Sequence, residues 1–249
     1  MKKLILLLSF INLFNHTFAQ TKLIKKVDKD HQWMGIKFVS QSNGLSNNGF
    51  DALNMELQKN KINTLPTEFM TNGVSLHIWA NQRTGFEFAF NFITSKLDET
   101  DKFINSAIPF LSGEHIKFAC FTDIFKRKRF RVVASAGISL NFLNFEIMDL
   151  QPQFNTFSNL LTNPALSRTL AFESRGMYGF EGALGFDYQL IKREKSEFII
   201  GIKGGYNYQP LKKNVKWTTK RTTIPIASFP KISLDSYFVQ LSMAFNFSL

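Results

Sequence analysis

Residues 234–249 read LDSYFVQLSMAFNFSL, and their alternation decides the fold class. Tyr237, Val239, Leu241, Met243, Phe245 and Phe247 fall on one parity; Gln240, Ser242, Ala244, Asn246 and Ser248 fall on the other. A period of two describes a β-strand with one apolar and one mostly polar face. The apolar side of this strand runs to the chain terminus with nothing after it in sequence to cover it. A soluble protein buries or blunts such an edge. A strand closing a barrel in a bilayer needs neither, because its partner is the first strand and its solvent is hydrocarbon.

Working outward, the same alternation recurs in seven earlier stretches. The first spans about Gln32 to Ser42, with Met34, Ile36, Phe38 and Ser40 on one face, and the second Gly73 to Asn81, with Val74, Leu76, Ile78 and Ala80 outward. The third, Gly85 to Thr94, reads GFEFAFNFIT and sets four phenylalanines against Glu87, Ala89 and Asn91. His115 to Asp123, Arg131 to Phe145, Met177 to Tyr188 and Glu197 to Tyr208 complete the set. Segments of this length suit the ~9–11 residues that cross a bilayer at a tilt. The connections after the second, fourth and sixth strands are short, and those after the odd-numbered strands are long. Long loops without structure are rare in compact soluble domains. Alternating short turns and long loops are the pattern of an outer-membrane barrel. The expected fold is therefore all-β: an eight-stranded antiparallel transmembrane β-barrel over residues 32–249, with short periplasmic turns and long outer loops.

The chain begins with a different signature. Lys2 and Lys3 precede the apolar run Leu4 to Phe14, and Ala19 closes a small-residue site. Residues 1–19 read as a secretory signal peptide, because the apolar run is about half of the ~20 residues a spanning helix needs. Residues 20–31 read as a basic periplasmic lead-in. One cysteine, Cys120, excludes an intramolecular disulfide. The formal net charge of +11 suits anionic partners without choosing among them. Export disfavours nucleic acid. The 28 phenylalanines, mostly at alternate positions, are the stronger compositional clue.

These features resemble the small eight-stranded outer-membrane β-barrel proteins of Gram-negative bacteria, the porin-like and opacity-protein-like group. The resemblance rests on the signal peptide, the alternating strands and the aromatic-rich ending MAFNFSL. It implies an outer-membrane location, contact with outer-membrane lipids and lipopolysaccharide, and recognition by the barrel-assembly machinery. Members often end in phenylalanine; this chain ends in Leu249, with Phe247 two positions earlier. The group shares a fold and a location rather than one activity.

The polar parity carries Lys37, His77, Glu87, Lys117, Arg131, Glu181, Asp187 and Lys203. An eight-stranded barrel is just wide enough to be filled by side chains, so these charges are expected to neutralise one another. A narrow ion pathway is the alternative. Ser75, His77 and Glu87 are the one set with nucleophile–base–carboxylate chemistry; the competing reading is a polar interior layer, and no catalytic residue is assigned. In the first long loop Phe50, Leu53 and Leu57 recur at helical spacing, ended by Asn60. Phe154, Phe157, Leu160 and Leu161 form a similar run in the third, and both are expected to cap the barrel mouth. The fourth long loop, from Gln209 to Ser233, holds six cations and no acid. Lys212, Lys213, Lys216, Trp217, Lys220 and Arg221 are its candidate binding residues for anionic lipid or glycan. Lys126 to Arg129, KRKR, fall in a short turn, where solvation or contact with phospholipid headgroups is expected. No metal-ligand spacing, phosphate-binding glycine loop or dinucleotide fingerprint occurs, so no metal or cofactor is expected.

The expected function is that of a non-enzymatic surface protein whose loops mediate interaction or membrane integrity. A lipid-modifying hydrolase built on Ser75, His77 and Glu87 and a small passive pore are the alternatives. A secreted soluble barrel with the phenylalanine face inside also satisfies the periodicity, because alternation does not say which face is inner.

Overall fold

The computed structural model describes residues 33–45, 50–60, 62–81, 83–95, 107–149, 169–174, 176–209, 217–219, 225–226, 229–230 and 232–248. The expected signal peptide (1–19), the lead-in (20–31) and the Phe154–Leu161 run lie outside these residues. The elements, in chain order, are β1 (Trp33–Leu45), α1 (Asp51–Lys59), β2 (Glu68–Trp79), β3 (Thr84–Ser95), β4 (Ala107–Arg127), β5 (Phe130–Asp149), β6 (Thr169–Ser174), β7 (Met177–Lys192), β8 (Ser196–Tyr208), β9 (Trp217–Thr219), β10 (Pro225–Ile226) and β11 (Ser236–Ser248).

Eight of the strands close on themselves, in the order β1-β2-β3-β4-β5-β7-β8-β11 and back to β1, every pair antiparallel. The closing pair runs the full length of both strands, from Trp33 opposite Ser248 to Leu45 opposite Ser236. The stretch 234–249 thus finds its partner in the first strand, as its lone apolar face demanded. Closure leaves these strands without a free edge.

The parity of the side chains is unambiguous. On β11, Tyr237 and Leu241 are 67% and 60% exposed, whereas Gln240 and Asn246 are 0% and 2% exposed. Phe86, Phe88 and Phe92 on β3, Ile138 on β5, and Tyr178, Phe180, Leu184 and Phe186 on β7 all face outward. From Tyr237 to Phe247 the strand runs roughly 33 Å, which at a tilt of about 45° rises roughly 24 Å. That rise matches the hydrocarbon band such a barrel must present. Four of the five tyrosines (Tyr178, Tyr206, Tyr208 and Tyr237) lie at the outer ends of β7, β8 and β11, where an amphipathic ring suits the lipid–water interface.

The strands exceed their expected bounds. β2 begins at Glu68 rather than Gly73, and β4 spans Ala107–Arg127 rather than His115–Asp123. Pro109 within β4 masked its outer extension in the sequence, since proline removes a ladder donor. The long β4–β5 hairpin carries β6 on the outer part of β5, Asn144–Met148, with β9 on β6 and β10 on β9. The three connections at the opposite end are tight turns, and bulges in β4 at Asp123–Phe125 and in β7 at Gln189–Ile191 lie beside two of them. Lys128, in the β4–β5 turn, adopts φ 51°.

The interior is layered rather than uniformly polar. Inward residues at the long-loop end are Phe69, Ile93, Leu111, Leu143 and Phe145, all at most 3% exposed. They form one apolar cluster with Phe50, which precedes α1, with Leu53 and Leu57 of α1, with Trp217 of β9, and with Leu65, Ile232 and Leu234 of the loops. The middle is charged. Near the tight turns Trp79, Phe121 and Val133 form a small apolar floor with Trp33 against it. The inward face, mostly polar by its parity, is apolar at both ends, where loop and rim residues enter the lumen.

Candidate functional site

The middle layer is built by register. β2 and β3 are joined by a tight turn that sets His77 directly opposite Glu87, with Ser75 opposite Ala89. Glu87 is in turn opposite Ala119 of β4, two residues from Lys117. The small Ala89, Ala119 and Ala183 leave room for long side chains to meet across the lumen. Lys117 Nζ lies 2.9 Å from Glu87 Oε1 and 3.1 Å from Glu181 Oε1, linking β3 and β7 inside the lumen. Lys203 Nζ lies 3.5 Å from Glu87 Oε2, and His77 Nε2 3.4 Å from the same oxygen. Lys37 is buried in the same layer at 5% exposure. One layer toward the long loops, His115 Nδ1 and Asn141 Oδ1 are 2.7 Å apart.

A second knot sits toward the tight turns. Arg131 Nη2 donates to Glu197 Oε2 at 2.7 Å, Asn246 Nδ2 donates to Glu197 Oε1 at 2.8 Å, and Gln189 donates to Glu197 as well. The Arg131 guanidinium stands 5.4 Å over the Trp79 ring, a cation–π contact. Asp123, 4% exposed, has no hydrogen-bond partner for either carboxylate oxygen among the described residues.

Buried charges need partners, because an isolated one costs far more than a salt bridge returns. Inside this barrel Glu87, Lys117, Glu181, Lys203, Arg131 and Glu197 have them; the outward parity of the strands is apolar. The soluble alternative requires the reverse arrangement. The chain is an eight-stranded transmembrane β-barrel.

The barrel's Ser75, His77 and Glu87 come together in one layer. Ser75 Oγ has no hydrogen-bond partner among the described residues, and both oxygens of Glu87 are engaged by ammonium groups. All three residues are enclosed in the lumen at 8% exposure or less. The geometry makes Glu87 a counter-ion for Lys117 and Lys203. Among the described residues there is no group of three or more histidine, cysteine or acidic side chains able to hold a metal ion.

The cap over the long-loop end is seated by α1. Asp51 begins and Lys59 ends the helix in accord with its dipole, and Leu53 and Leu57 turn inward. Asn54 fixes the return of the loop: it accepts from Leu65 N–H at 2.8 Å and donates to Leu65 O at 3.0 Å. Gln209 plays the same part for the fourth loop, accepting from Leu234 N–H at 2.8 Å. Trp217 is 2% exposed and stacks on Phe229 with ring centroids 4.2 Å apart. Of the candidate loop-four binding residues, Trp217 is thus the one the described residues place, and its ring is packed into the apolar cluster at the barrel mouth. Lys212, Lys213, Lys216, Lys220 and Arg221 lie outside the described residues.

What sequence reasoning missed is the contribution of Phe69, Ile93, Leu111, Leu143 and Phe145, which sit on the polar parity of their strands. Their signal was present as apolar residues interrupting that parity near the strand ends.

No family model matches the chain, and no curated protein matches it. Solved structures similar to the barrel include Neisserial surface protein A (NspA), at 9% identity and TM-score 0.46 over 88% of this chain and 97% of that one. Ail, the attachment invasion locus protein of Yersinia pestis, is similar at 8% identity and TM-score 0.43 over 88% and 99% of the two chains. A major outer membrane protein from Thermus thermophilus is similar at 8% identity and TM-score 0.46 over 87% and 99%.

Proposed function

We propose that this barrel resides in the outer membrane, reached through a signal peptide at residues 1–19, and acts there without catalysis. Its outer loops mediate surface interaction or membrane integrity. The observation that carries the reading is the filled lumen: an apolar plug at one end and a layer of buried ion pairs below it. A conducting pore needs a continuous wet path, and neither layer provides one. Loops held on a rigid scaffold are where such a protein carries recognition. The plug fixes the bases of the first and fourth long loops through Asn54 and Gln209.

Recognition of anionic groups, on lipopolysaccharide or a surface glycan, falls to Lys212, Lys213, Lys216, Lys220 and Arg221, with Trp217 anchoring the loop from beneath. Outer-membrane lipids surround the barrel, and the barrel-assembly machinery inserts it. Two experiments test this. In planar bilayers the purified protein is expected to give no steady conductance; a persistent open level would replace the reading with a passive pore. Replacing the five loop cations by glutamine is expected to weaken salt-sensitive binding of purified lipopolysaccharide. Unchanged binding would remove that loop from the proposal.

A further inference from the structure

The outer wall of the barrel is not evenly filled. A groove of about 720 Å³ crosses its lipid-facing side over β1, β11, β8, β7 and the start of β5. The pairing registers define its banks. One bank is the row Phe38, Met243, Ile200, Tyr188 and Phe130, each opposite the next. The other is Ser40, Leu241, Ile202 and Phe186. Between them the floor passes through Val39, Ser242, Gly201 and Asp187, residues of inward parity. Phe130 and Phe186 close one end of the groove by stacking, with centroids 5.8 Å apart. Because the strands are tilted, a row perpendicular to them runs obliquely through the bilayer.

The Phe130 end of this groove opens on a strongly basic surface. Lys126 to Arg129 precede Phe130 directly, and all four are exposed. Gln189 N–H donates to Arg129 O at 2.8 Å, which ties the β4–β5 turn to β7 and brings Lys192, Arg193 and Lys195 alongside. These three are exposed too, with Glu194 the one acid among the seven cations. Immediately on the hydrocarbon side lie Ile124, Phe125, Leu190 and Ile191, each at least 41% exposed. Cations set one turn beyond an exposed apolar band occupy the level of lipid phosphates.

An apolar trough of acyl-chain shape running from a cluster of cations at headgroup depth is one composite site. We propose that this groove holds an anionic phospholipid of the leaflet on the tight-turn side, its acyl chain between the two banks and its phosphate on the cations of the β4–β5 and β7–β8 turns. The inference goes beyond the surface role of the loops and does not depend on it, since it concerns the opposite end of the barrel.

The test is native mass spectrometry of the protein purified from membranes in detergent, with phosphatidylglycerol or phosphatidylcholine of identical chains added. Three proteins are compared: the unaltered chain, the turn variant K126Q/R127Q/K128Q/R129Q, and the groove-filling variant I200W/M243W. Each is first shown to be folded by its heat-dependent mobility in SDS. The unaltered chain is expected to retain phosphatidylglycerol about tenfold over phosphatidylcholine. The turn variant should lose that preference, and the groove variant should lose retention of both lipids. Equal retention of both lipids by the unaltered chain overturns the proposal, as does a preference that survives in the turn variant. Undiminished retention in the groove variant also overturns it, reducing the turns to a diffuse cationic surface.

Discussion

Lys117 is the side chain on which the interior depends most. It touches both Glu87 and Glu181 from the middle of the lumen, so removing it leaves two buried carboxylates short of a cation. Breaking a buried pair from one side costs about 3–5 kcal/mol. Lys117→Met is expected to lower the temperature of the SDS mobility transition markedly, with part of the loss recovered in K117M/E181Q. A K117M transition equal to that of the unaltered chain would show the cluster to be solvated. Ser75 predicts the opposite. Its hydroxyl is 3% exposed and has no hydrogen-bond partner among the described residues; an unsatisfied buried hydroxyl costs about 1–3 kcal/mol. Ser75→Ala should leave the transition unchanged or raise it. A loss of stability would reveal a polar contact at Ser75, and loss of any deacylation of purified lipopolysaccharide would revive the hydrolase reading.

At the scale of elements, the cap is separable from the wall. α1, β9 and the loop around Leu234 are joined to the barrel by apolar packing on Phe69, Ile93, Leu111, Leu143 and Phe145. Removing a buried tryptophan from such a cluster costs about 3–5 kcal/mol. Trp217→Ala should therefore make the long loops sensitive to protease while the barrel keeps its heat-dependent mobility. Joint loss of both properties would mean the cap is part of the folding core. L53D/L57D places two carboxylates on the buried face of α1 and should unseat it. Bilayer conductance should nonetheless remain absent, because the charged layer beneath still fills the lumen; a new open level would make the helix the gate of a pore.

For the whole molecule, the antiparallel ring leaves no free barrel edge. The protein is expected in the membrane fraction, with a mobility in SDS that changes on boiling. A soluble species with no change would require the Phe face to be the interior, against the exposure of Phe38, Phe88 and Phe186 at 57%, 52% and 51%.

The existence, number and parity of the eight wall strands were legible in the residues themselves, because a period of two is a local property set by the pleat. The 234–249 stretch, the four phenylalanines of β3 and the 51–59 helix of the first long loop all stand where their spacing placed them. The meeting of His77 with Glu87 was legible too, since one tight turn fixes that register. Alternation is silent on which face is inside, and only ring closure decided that Phe38 meets hydrocarbon while Glu87 meets Lys117 and Lys203. The burial of Trp217, the apolar plug and the short β6, β9 and β10 depend on chain segments far apart in sequence. Their partners become neighbours only after the wall has closed, so no local pattern encodes them; packing around a finished barrel mouth does.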